Sequence, residues 1–132
     1  MSKTTRLALA LLFVASVAAP ASVQETDLSG TWKGTTYIAD RQMNDAMTLV
    51  LQKDDGSYEG TVTDEAGMAD EAEISNVSFS EGVLEFDFTI FDGDNYVNVH
   101  VTLKMEGNNL AGSWVTDSGA TGDIVLTKQA TG

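Results

Sequence analysis

The chain has 132 residues, 20 acidic against seven basic, one His and no Cys. Binding of so acidic a chain to DNA, RNA or anionic membranes would have to overcome strong repulsion, which disfavours them as partners. With no Cys there is no disulfide framework, no thiol nucleophile and no lipid-carrying Cys after a leader.

The first 21 residues read as a signal peptide. MSKTTR is a cationic start, LALALLFVASVAA is apolar, and Ala19-Pro20-Ala21 is an A-x-A-like cleavage site. The apolar run is about 13 residues, whereas a spanning helix needs roughly 20. Export to the periplasm or the outside is therefore expected, with no membrane span afterwards. Removal of residues 1–21 leaves 111 residues and takes Lys3 and Arg6 with it. Five basic and 20 acidic residues then remain, a net charge of −15. A chain of that length is one small domain, with residues 22–27 as a linker and 28–129 as the domain.

From residue 28 onward apolar residues recur with period two in short runs, separated by Gly, Asp, Asn and Ser clusters, an all-β pattern. Strands are expected at about 29–38, 46–52, 57–63, 72–79, 83–91, 96–104, 109–116 and 121–128. Between the third and fourth, DEAGMADEAE at 64–73 is rich enough in Ala and Glu for a turn or two of helix. Alternation points Met47, Leu49 and Leu51 inward, as it does Leu84, Phe86, Phe88 and Ile90, and Val97, Val99, Val101 and Leu103. Eight sequential antiparallel strands remove their exposed edges by closing into an up-and-down barrel. A two-sheet β-sandwich is the alternative.

Three related pieces, LSGTW (28–32), YEGTV (58–62) and LAGSW (110–114), begin expected strands one, three and seven. Gly30-Thr31-Trp32 on a first strand ahead of a small meander resembles the calycin group of lipocalins, fatty-acid-binding proteins and avidins. The whole mature chain is most similar to small exported bacterial lipocalin-like domains, with L-x-G-x-W near both ends and a last strand like Ile124–Lys128. That resemblance implies a barrel and a ligand-holding habit, with no ligand named. Lipocalins usually carry a late Arg over the first-strand Trp; Lys128 is the only basic residue near this end. The Asn and Tyr that avidins place after the Trp and on the third strand correspond to Gly34 and Val62, which argues against biotin.

In such a barrel the loops after odd strands share one end. Those loops (39–45, 64–71, 92–95, 117–120) are the long ones, and they carry nine acidic residues against Arg41 alone. An anionic ligand is disfavoured at that mouth. Ile38, Met47, Ile74, Phe88, Ile90, Val97 and Val99 lie toward it and form the candidate ligand-binding set. Asp92, Asp94 and Asn95 place three oxygen side chains in one loop, a candidate calcium site that is equally a good hairpin turn. Strands one, three and seven all start at the opposite end, so Gly30, Gly60 and Gly112, with Trp32, Val62 and Trp114, are expected to form the floor. His100 alternates onto the outer face, and no nucleophile motif or phosphate-binding Gly loop is present, so no catalytic residues are assigned.

The leading expectation is an exported non-enzymatic barrel binding a small apolar or amphipathic ligand, neutral or cationic. The alternative is a closed-core secreted protein whose acidic loops bind a protein partner or calcium. A connected cavity of about 300 Å³ or more between the long loops would favour the first; a filled barrel would favour the second.

Overall fold

The computed structural model describes residues 27–130; the expected signal peptide and all but the last residue of the expected linker lie outside them. Nine strands follow in chain order: β1 (Gly30–Ile38), β2 (Met43–Asp54), β3 (Ser57–Asp64), β4 (Ala72–Glu73), β5 (Ser75–Ser80), β6 (Val83–Phe91), β7 (Tyr96–Glu106), β8 (Asn109–Thr116) and β9 (Thr121–Lys128). All pairings are antiparallel, in the order β4-β3-β2-β1-β9-β8-β7-β6-β5. The first strand pairs with the last through five residue pairs, Trp32↔Lys128 to Thr36↔Ile124. That pairing joins the two halves of the meander and makes a nearly closed up-and-down barrel rather than a sandwich.

The strand count is nine rather than eight because the expected strand 72–79 breaks at Ile74. Its first half pairs with β3, through Thr61↔Glu73 and Val62↔Ala72. Its second half pairs with β6 and carries a register shift between Ser75 and Ser78, where Asn76 takes φ 51°. One segment thus serves both free edges of the sheet, and the Ile74 N–H donates to the Gly60 carbonyl across the gap at 3.0 Å. A bulge with a left-handed residue turns the strand sharply enough to change partners. The break also shifts the alternation: Ala72 and Ile74 point inward, Ser75 and Asn76 are both exposed, and the inward phase resumes at Val77 and Phe79.

Two further boundaries differ. β2 starts at Met43, so the expected loop 39–45 shrinks to a 3-10 turn (Ala39–Arg41) closed by Gln42 at φ 48°. The Ala- and Glu-rich stretch forms no helix. One or two turns cannot repay helix nucleation, and local acceptors compete for the backbone: Asp64 Oδ1 takes the Ala69 N–H at 2.8 Å and Thr63 Oγ1 takes that of Glu71 at 3.0 Å. The segment folds back over the barrel end. Ala69 is buried there, and the Met68 carbonyl accepts the Phe91 N–H at 3.3 Å.

Inward residues of all the long strands meet in one core that includes Leu49, Leu51, Leu84, Phe86, Val101, Leu103, Leu110 and Leu126. The short-turn end is sealed from within. Leu28 is fully buried; its N–H donates to Tyr58 Oη, and its carbonyl accepts the Trp32 Nε1–H, both at 2.9 Å. Lys128 Nζ lies 5.8 Å from the Trp32 ring centre and donates to the Asp27 carbonyl at 3.1 Å. Lys128 therefore fills the place over the first-strand Trp where a late Arg was sought in the sequence.

Glycine allows the strands to approach each other unusually closely. A Cβ built on Gly34, Gly60 or Gly112 would lie 1.8, 1.8 or 1.9 Å from a carbonyl oxygen of the adjacent strand. No side chain fits there.

Candidate functional site

A cavity of about 190 Å³ lies inside the barrel at the long-loop end. It is smaller than the 300 Å³ taken above as the mark of a drug-sized site, yet larger than the roughly 150 Å³ that accommodates a benzene-sized guest. Six of the seven expected ligand-binding residues line it: Ile38, Met47, Phe88, Ile90, Val97 and Val99. Ile74 does not. It is buried in the core at the β4–β5 break, where the change of strand partner carries it out of line with the wall. Met68 and Ala69 of the folded-back segment, with Ser118 and Ala120 of the β8–β9 turn, complete the rim.

The three repeated pieces do not lie at one level. Trp32 is at the floor, 2% exposed, whereas Val62 and Trp114 line the cavity. The displacement is the stagger that closure imposes on tilted strands. Trp32 is opposite Lys128 on β9, and β8 is already at its first residues there, Asn109 facing Thr127. Trp114 faces Gly122, further toward the mouth, and its Nε1–H donates to Thr36 Oγ1 at 2.7 Å. Equal distance from a strand's start is not equal height in a sheared barrel. Of the expected floor set, Trp32 seals the base. Gly30 stands beside Lys128, and Gly60 and Gly112 are close-approach points between strands.

The alternation carries polar residues onto the inner wall as well. Asp45 continues the phase of Met47, Leu49 and Leu51, and Asp64 that of Tyr58, Gly60 and Val62. Met47 pairs directly with Asp64, which puts Asp45 on the diagonal from Asp64, within reach across the two strands. Both carboxylates line the cavity with Asp92 and Arg41, three acids to one base. Extending the period two residues beyond the apolar runs would have found both; assigning 39–45 and 64 to loops concealed them.

Asp45 is 4% exposed. Its Oδ1 accepts the Ala66 N–H at 3.0 Å, but its Oδ2 is the one buried side-chain oxygen or nitrogen without a hydrogen-bond partner among the described residues. Burial pushes its pKa up to about 6, reinforced by Asp64, with which a protonated Asp45 would share a hydrogen bond, and by the charge of Glu65. A carboxyl that binds its proton more tightly folded than unfolded gives greatest stability when protonated and loses it as pH rises from about 4 to 6. Asp45→Asn keeps the acceptor for Ala66 and supplies a donor for Asp64. It should therefore be more stable than the native chain at pH 7, by on the order of 1–2 kcal/mol once solvent screening through the open mouth is allowed for, and no more stable at pH 4. Urea midpoints at the two pH values check this; an equal gain at both would disprove it.

Other polar lining groups have partners. Thr36 Oγ1 donates to the Asp123 carbonyl at 2.8 Å, and Thr116 Oγ1 takes the Ala120 N–H at 3.0 Å and bonds Ser118. Asp92 Oδ1 accepts the N–H groups of Asp94 and Asn95 at 2.9 and 2.8 Å, which hold its pKa down and bind the candidate calcium loop as a turn. No group of three or more His, Cys, Asp or Glu residues with metal-holding geometry occurs among the described residues.

On the outer wall His100 lies between Asp87, its cross-strand partner, and Glu85, 3.0 Å from Nε2. Asp87 takes an Asn76 amide hydrogen and is held low first by that bond and then by His100, whose own pKa Asp87 raises. This cluster sits on the opposite face of the sheet from the cavity. No helix among the described residues is long and apolar enough to cross a membrane. No protein-family model and no curated protein matches the chain.

Proposed function

We propose that this chain is an exported, non-enzymatic, calycin-like barrel that holds one small ligand with an apolar body, neutral or cationic, at its acidic end. The observation that carries the reading is the cavity of about 190 Å³ lined by Ile38, Met47, Phe88, Ile90, Val97 and Val99 together with three carboxylates and one Arg. Such a space takes a single ring or a short branched chain, too little for a long fatty acid or a tetrapyrrole. The calycin resemblance adds a habit of holding ligands inside the barrel, and the leader-like residues 1–21 support export.

The two indoles supply the test. Trp114 lines the cavity and Trp32 seals the floor. Titration with single-ring probes, followed by the two indole N–H resonances, should move the Trp114 signal saturably and leave Trp32 in place. A Trp114 signal unmoved across a panel of neutral and cationic single-ring compounds overturns the reading.

A further inference from the structure

We propose, resting on the ligand-binding reading above, that the cavity selects a protonated small amine, its ammonium seated against Asp45 and Asp64 and a single-ring or short aliphatic body against Phe88 and Trp114. The argument begins with Asp45. A carboxylate oxygen removed from water with no donor near it is costly, and Asp45 Oδ2 has none although its residue lines an open cavity. Asp64, on the neighbouring strand, adds a second negative charge to the same wall instead of neutralising the first.

Within the chain only a proton relieves this arrangement. The one basic residue on the cavity wall, Arg41, makes no ion pair with either carboxylate among the described residues; its charge acts on Asp92 at the rim. The groups that set the local field are thus Asp45 and Asp64 on the wall, Glu65 beside them, and Asp92 and Arg41 at the rim. Their sum is negative.

A primary ammonium group supplies what is missing. It has three donors and no acceptor, so seated against the carboxyl groups of Asp45 and Asp64 it can bond both once the Asp45 side chain turns its enclosed oxygen toward it, while its charge offsets theirs. Anchoring the head there leaves the body in the apolar part of the cavity, where two aromatic residues, Phe88 and Trp114, contribute to the wall. The volume limits that body to about one ring. A neutral alcohol of the same shape offers one donor and no charge to offset the two carboxylates, and an anion adds a further negative charge to the wall.

Three probes of matched shape test the proposal on the described domain in its full chain: benzylamine, benzyl alcohol and benzoate, titrated at pH 7.5 with the Trp114 and Trp32 indole signals as readout. Benzylamine should bind about tenfold or more tightly than benzyl alcohol, as a charge-assisted bond to a buried acceptor requires, and benzoate more weakly than either. Asp45→Asn and, as a second variant, Asp64→Asn should each weaken benzylamine more than benzyl alcohol and so reduce that preference.

Equal affinity for benzylamine and benzyl alcohol, or a preference that survives both substitutions, overturns amine selection while leaving the ligand-binding reading intact. Tightest binding of benzoate, lost in Arg41→Gln, overturns it in favour of an anion site. If none of the three moves Trp114, this proposal fails; the wider ligand-binding reading falls only if the whole panel named for it also fails.

Discussion

Replacing Trp32 with alanine should lower the unfolding free energy by about 3–5 kcal/mol, the range for truncating a fully buried aromatic ring. The ring is 2% exposed, and its loss removes more than apolar area. Its Nε1–H satisfies the Leu28 carbonyl at 2.9 Å, and Leu28 is itself fully buried at the base of the barrel. Without the indole that carbonyl loses its donor, Lys128 loses the ring beneath its ammonium, and the plug that closes the floor is held only through Tyr58. Trp32→Phe restores most of the packing but not the hydrogen bond, and should cost about 1–2 kcal/mol. Urea unfolding monitored through the remaining Trp114 distinguishes these variants. A midpoint unchanged in Trp32→Ala would refute the assignment of Trp32 as the seal. Because Trp32 does not line the cavity, any ligand affinity should change less than stability does.

The second large effect is expected at Gly122. An added Cβ there would lie 2.0 Å from the Tyr37 carbonyl oxygen and 2.6 Å from the Cε2 and Cζ2 atoms of Trp114. Neither neighbour yields readily. The carbonyl belongs to β1, which is held between β2 and β9, and the indole is fixed by its bond to Thr36. Gly122→Ala should therefore cost about 3 kcal/mol, at the upper end for an overpacked interior, and should displace the Trp114 indole resonance as the ring leaves its place. Gly56→Ala is the control: nothing lies within 4 Å of an added Cβ, but φ is +90°. That change carries only a backbone penalty of about 1 kcal/mol. If the two variants lost equal stability, steric closeness at Gly122 would not be the cause.

Much of the barrel was legible in the sequence because a strand packed on one side writes its burial as alternation. Phe86 and Phe88 on β6, and Val99, Val101 and Leu103 on β7, were assigned inward from that signal alone, and they are inward. Features that depend on how strands are placed against each other were not legible. Trp114 was set level with Trp32 because each lies four residues after the Leu that opens its motif, but the shear of the closed sheet moves it from the floor to the cavity wall. The break at Ile74 is marked only by a change of phase, from Ala72 and Ile74 to Val77 and Phe79 across two polar residues, and reading 72–79 as one strand passes over it. Asp45 and Asp64 are concealed by ending the expected strands at 46 and 63, one residue short of each. Their phase was correct, and the phase rather than the residue type determined which way they point.

The segment 72–80 gives the ring a clasp. Seven of the eight ladders hold four or more residue pairs, and β1–β2 and β6–β7 hold nine each. At the clasp, β3 and β4 share two, and one hydrogen bond from Ile74 spans the gap to Gly60. A hoop fastened in this way widens at its fastening before it stretches anywhere else, because the fewest bonds have to yield there. The weakest point of closure is therefore the β3–β4 ladder with its two pairs, whereas β1 and β9 share five. Val62, which belongs both to that two-pair ladder and to the cavity wall, couples the fastening to the space it encloses.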